Sequence, residues 1–126
     1  MKVLSIVESA YRATVEEQDD TILWLNHMFK NADLDVSLLL RGNAVNYAVT
    51  GQDASGLSFG GVSVGHPPKL DEDLTGLINS GVTVSYVAED LADRGIDDSS
   101  IIGGVQPVTR AELPRLLNEH DQIWHW

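Results

Sequence analysis

Val82-Thr83-Val84-Ser85-Tyr86-Val87, followed at once by Ala88-Glu89-Asp90-Leu91-Ala92-Asp93-Arg94-Gly95, is the stretch on which the fold turns. Its first six residues alternate and are rich in β-branched side chains, the composition of a strand. The segment Glu89 to Arg94 reads as a short helix, ended by Gly95, a residue that accepts the left-handed conformation at a helix terminus. A strand passing directly into a helix is the repeating unit of an α/β chain.

The same alternation extends outward in both directions. Leu70, Leu74, Leu77 and Ile78 fall at helical spacing and stop at Gly81, so a helix precedes the Val82 strand. Val36 to Leu40 is continuously apolar, as a strand covered on both faces should be. Arg41-Gly42-Asn43 breaks that run, and a short helix is expected from Ala44 to Val49. Val3 to Val7 reads as the opening strand. Thr14 and Glu17 have capping-box spacing ahead of Ile22, Leu25, Met28, Phe29 and Ala32, which predicts a first helix with one face on the core.

Toward the carboxyl end, Ile101-Ile102 before Gly103-Gly104 reads as a brief fourth strand. Thr109 and Glu112 repeat the capping-box spacing before Leu113, Leu116 and Leu117, while Pro114 delays or bends that helix. Ile123 to Trp126 is the last strand, with Trp124 and Trp126 on one face and His125 on the other. Gly51 to Pro68, rich in Gly and Ser, reads as a long mobile loop, a kind that is usually functional or disordered. The expectation is a single α/β domain over residues 1–126. Its sheet is mostly parallel, of five strands or of four plus one short strand. Helices cover both faces, giving a flavodoxin-like three-layer sandwich.

Composition narrows the chemistry. Eight basic residues against nineteen acidic ones give a formal net charge of -11. Such a surface repels phosphate backbones and anionic lipid heads, so neither nucleic acid nor a membrane surface is the expected partner. The chain has no cysteine, which removes disulfides, thiolate metal sites and sulfur nucleophiles together. Glu8 and Arg12 interrupt the opening apolar run too early for a signal peptide, and a cytoplasmic location is expected.

Ligands of such sheets bind beyond the carboxyl ends of the strands. The candidate site is therefore three loops, Glu8 to Thr14, Arg41 to Asn46 and Val87 to Asp90. Arg12 and Arg41 are candidates to hold a small anion, unless each pairs with an acid such as Glu8 or Glu89. Glu8, Glu89 and Asp90 are candidate acid/base groups, with solvated or Arg-paired carboxylates as the alternative. Asn43 and Asn46 suit either a ligand or the turn itself. Of the four histidines, His66 in the long loop is the best placed for function. His27, His120 and His125 do not form a helical metal pair with it or with each other. No glycine pattern for a dinucleotide or a P-loop is present, and the hydroxyl-rich loop that holds a flavin phosphate is missing. No cofactor and no metal are expected.

With the order of elements in view, the chain resembles the DsrE/DsrF-like (TusD-like) family of small sulfur-relay proteins over nearly its whole length. The resemblance is carried by Ser9-Ala10-Tyr11 after the first strand, by Arg41-Gly42-Asn43 after the second, by the Val84 to Gly95 segment, and by Asp121-Gln122-Ile123-Trp124-His125-Trp126. In the sulfur-transferring members a cysteine ends the third strand. Counted back from Arg94-Gly95, that position is Val87, which cannot be sulfurated. The resemblance implies a non-catalytic subunit, or a small-ligand-binding relative, that assembles with itself or with related DsrE-like subunits. Glu8, Tyr11, Arg12, Arg41, Asn43, Val87 and Glu89 would surround the ligand, with a small anion as the candidate. The alternative is a cysteine-independent enzyme that uses Glu8, Glu89 and His66.

Overall fold

The computed structural model describes residues 1–11 and 20–126. In chain order the elements are β1 (Lys2–Val7), α1 (Thr21–Asn31), β2 (Asp35–Leu40), a 3-10 turn (Gly42–Ala48), and the small strands β3 (Ser58–Phe59) and β4 (Val62–Ser63). They continue with α2 (Leu70–Asn79), β5 (Thr83–Val87), α3 (Ala88–Asp93), β6 (Gln106–Val108), α4 (Leu113–Asn118) and β7 (Gln122–His125). Five strands form one sheet in the order β6-β5-β2-β1-β7, and every pairing in it is parallel. The expected α/β architecture is the one observed.

Connection handedness explains which face each helix covers. From β1 to β2, β5 and β6 the chain steps always in one direction across the sheet, and right-handed crossovers then put the intervening helices on one face. Ile22 and Leu23 of α1, Leu70, Leu74 and Leu77 of α2 and Leu91 of α3 accordingly share a core with Val3, Val7, Val36, Leu38, Leu40, Val84 and Tyr86. The step from β6 to β7 runs back past three strands, so the same handedness drops α4 on the opposite face. There Leu113 and Leu116 cover Leu4, Ile6, Leu39 and Val87.

Local sequence signals account for most boundaries. Asp20 caps α1, its Oδ1 accepting the Ile22 and Leu23 amides at 2.9 and 3.2 Å. The Thr14–Glu17 spacing lies outside the described residues. Gly81, at φ +93, ends α2 as expected. The Thr109–Glu112 capping box is formed in full, on a 3-10 turn that leads into α4.

Three expectations change. The fourth strand is Gln106–Val108 rather than Ile101-Ile102. Ile101 makes an isolated antiparallel bridge with Val49, and the Ile102 amide donates to the Ala48 carbonyl, so this segment packs on the 3-10 turn. The true strand went unread because Pro107 interrupts it, which only an edge strand tolerates. On α1, Met28 faces outward at 39% exposure, and Leu23 and Asn26 take the core positions. The Gly51 to Pro68 loop contains the β3–β4 hairpin.

Candidate functional site at the carboxyl rim

The loops after β1, β2 and β5 do converge beyond the carboxyl ends of the strands. Their centre is Asp90, 7% exposed. Its Oδ2 accepts the Gly42 amide at 2.8 Å, and its Oδ1 accepts from Arg110. Burial works against the charged form, but the Gly42 amide and the Arg110 guanidinium outweigh it, and the Asp90 carboxyl is held below its ordinary value. Arg110 also reaches Asp93 at 2.9 Å. Its own backbone amide donates to both Glu89 oxygens, at 2.8 and 3.2 Å. Arg94 donates through Nε and a terminal nitrogen to Asn43 Oδ1 at 3.0 and 2.8 Å.

These contacts assign structural work to several candidates. Glu89 and Asn43 hold neighbouring loops together. Asn46 Nδ2 donates to the Asn43 carbonyl at 2.9 Å and shapes the turn. Val87 is 1% exposed and belongs to the apolar layer beneath α4, so at the end of β5 a hydrophobic side chain fills packing space rather than facing a ligand. The sequence reading missed Arg94 and Arg110 as partners. The signal was present: Glu89, Asp90 and Asp93 crowd one short helix and require cations nearby.

A second group lies where β1 and β7 meet. Here the chain order across the sheet reverses, the place where open α/β sheets form a crevice. The Glu8 and Ser9 amides donate to the Trp126 carbonyl at 3.0 and 3.3 Å, which ties the β1 loop to the end of β7. Glu8 Oε2 and His125 Nε2 lie 2.5 Å apart, each side chain close to half exposed. Gly42 makes this approach possible. It sits at φ +57, and a Cβ there would stand 3.2 Å from Glu8 Cγ. His125, set aside in the sequence as a scattered histidine, is the partner of Glu8.

Tyr11 closes the third side. Its amide donates to the Tyr47 hydroxyl at 2.6 Å, and that hydroxyl donates to buried Asp20 Oδ2 at 2.7 Å. Burial, then the Asp20 contact, pushes the Tyr47 hydroxyl far above its ordinary value, so it stays a donor. The Tyr11 ring meets Tyr47 edge-on at 5.3 Å and, with Gln52, Leu57 and Pro68, lines a cleft of about 370 Å³. Arg41 is exposed at the end of β2. No carboxylate of the described residues lies within 4.0 Å of its guanidinium, so neither Glu8 nor Glu89 neutralises it. Arg12 lies outside the described residues. His66 is exposed in the turn before α2. Among the described residues no three His, Asp or Glu side chains cluster as metal ligands.

No protein-family model matches this chain, and no curated protein sequence matches it significantly. Solved structures do. The ychN protein of E. coli is 23% identical, covers both chains in full (100% of each), and superposes with a TM-score of 0.73. A conserved protein of unknown function from Bacteroides thetaiotaomicron is 15% identical, with a TM-score of 0.69 over 99% of this chain and 95% of that one. A protein of unknown function from Methanobacterium thermoautotrophicum is 18% identical, with a TM-score of 0.61 over 98% and 97%. The fold is shared with all three.

No helix of the described residues is long and apolar enough to cross a membrane.

Proposed function

We propose that this chain is a cysteine-less relative of the DsrE-like sulfur-relay proteins, which binds a small anion at the carboxyl rim and acts within an oligomer. The observation that carries this reading is the state of Arg41. Its guanidinium is exposed beside the Gly42 turn and unneutralised by any described carboxylate, in a chain with no sulfur nucleophile. Guanidinium is well suited to planar oxyanions, which it can hold through two parallel hydrogen bonds. A thiolate-free rim can hold such an ion but cannot carry sulfur covalently.

The test is a thermal-shift titration with sulfite, thiosulfate, sulfate and acetate, on the wild type and on Arg41→Ala. A ligand at 100 times its Kd stabilises the folded form by about 2.7 kcal/mol. A saturable shift with at least one sulfur oxyanion, lost in Arg41→Ala, is expected. Equal shifts in both proteins, or none in the wild type, overturn the anion site.

The Glu8–His125 contact favours a second reading, a cysteine-independent acid/base enzyme. A carboxylate that holds an imidazole by one ring nitrogen is the arrangement used to orient a general base. This version replaces His66 and Glu89 by His125 as the partner of Glu8. Turnover of an ester, amide or phosphoester panel by the wild type, absent in His125→Ala, supports it. Identical rates in the two proteins discard it.

A further inference from the structure

The two edges of the sheet differ in kind. On one side β6 is three residues long and carries Pro107, which withholds a donor and blunts the edge. On the other side β7 runs through Gln122, Ile123, Trp124 and His125 with no proline, no lysine and no described element paired to its outer edge. Trp126 turns both backbone groups toward β1, its amide to the Ile6 carbonyl at 2.9 Å and its carbonyl to the Glu8 amide at 3.0 Å. Alternation along the strand then directs the Gln122 and Trp124 backbones inward, and leaves the N–H and C=O groups of Ile123 and His125 pointing outward. Beside this edge lies an open groove of about 460 Å³ formed by Phe29 and residues 123–126. Phe29 meets the Trp124 ring edge-on at 5.0 Å, and Met28 and Ile123 keep 39% and 40% of their surface in water.

We infer that the outer edge of β7 pairs antiparallel with β7 of a second copy of this chain, about a two-fold axis through Trp124. The inference rests on the assembly part of the proposed function and names its surface. Parity selects the axis. Residues that face each other across antiparallel strands point to the same side of the sheet, so a self-pairing strand must turn about a residue and not between two. An axis at Trp124 sets Ile123 opposite the partner's His125, the pair whose free N–H and C=O groups can exchange two hydrogen bonds. The symmetry mate supplies two more, and Trp124 meets its own copy in the closer, non-hydrogen-bonded position. Such an interface is isologous and closes on itself. Phe29 of each α1 extends it on the helical face, and none of the residues lining the groove is a carboxylate, although the chain carries nineteen acids. A stable association buries about 800 Å² per partner, roughly an eighth of this chain's 6747 Å², and a short strand needs that helical flank to reach it. The five-stranded sheets would join into one continuous sheet, with the two Glu8–His125 pairs on either side of the axis.

Light scattering after size exclusion tests this on the full chain. The wild type should elute with a mass that is an even multiple of 13.7 kDa. Ile123→Pro removes one outward donor and no bond to β1, and Ile123→Lys places a charge at the interface. Both should be monomers with unchanged far-ultraviolet circular dichroism, while Leu117→Lys, on exposed α4 surface, keeps the wild-type mass. If Ile123→Pro misfolds, Ile123→Lys decides alone. An oligomer that survives in a folded Ile123 variant overturns the β7 surface but leaves assembly standing. A monomeric wild type at tens of micromolar overturns both.

Discussion

All fully buried residues of the described chain lie at or before Leu91, and from Ala92 to Trp126 there is not one. Yet this second region supplies β6, α4 and β7, two of the five strands of the main sheet. The first region is held by apolar burial between sheet and helices. The second is held by backbone ladders, by the Asp90–Arg110 cluster and by half-buried contacts, with Ile101, Ile102, Trp124 and Trp126 on the main core and Leu113 and Leu116 on Leu4, Ile6, Leu39 and Val87. Connection handedness imposed the imbalance, because only one crossover returns across the sheet. A face covered by one six-residue helix is thinly packed, whatever pairs with the β7 edge.

Substitutions in matched positions would break or sharpen this contrast. Leu74→Ala, in the completely buried face, should cost about 3–4 kcal/mol in urea unfolding, as a core leucine does. Leu116→Ala, partly exposed, should cost about 1 kcal/mol. Equal losses would mean that the two faces are packed alike.

Asp90→Ala comes next, at about 2 kcal/mol, the scale of a hydrogen bond to a charged group discounted for the half-exposed Arg110 partner. The effect is pH-dependent. The folded-state value of Asp90 is depressed, so its contribution is complete above the unfolded carboxyl range of about 4 and disappears as pH falls through the lower folded value. The stabilities of wild type and variant should therefore converge at low pH. A gap that persists there would contradict the ionic account. The smallest effect is Thr109→Ala, about 1 kcal/mol from the lost cap, read in the same unfolding series.

The same divide marks what the sequence made legible. In the first region apolar periodicity and burial agree, so the strands at Val3, Val36 and Val82 and the helix from Leu70 to Gly81 were readable. Met28 misled because an apolar residue on a helix need not face the core, whereas buried Asn26 bonds back to the Ile22 carbonyl at 2.8 Å and occupies that place. In the second region strand formation is dictated by neighbours rather than by composition, so Gln106-Pro107-Val108 carried no strand signal. The three rim loops were legible from strand ends alone. Pairings across distant segments, His125 with Glu8 and Arg110 with Asp90, were not, since the sequence separations of 117 and 20 residues carry no local pattern.

The central claim is that the second region is completed by another copy of the chain rather than by its own core. Amide hydrogen exchange at two protein concentrations tests it most directly. Protection at Ile123 and His125 should rise with concentration while protection in Val36 to Leu40 stays constant. Protection at both places that does not depend on concentration would contradict it.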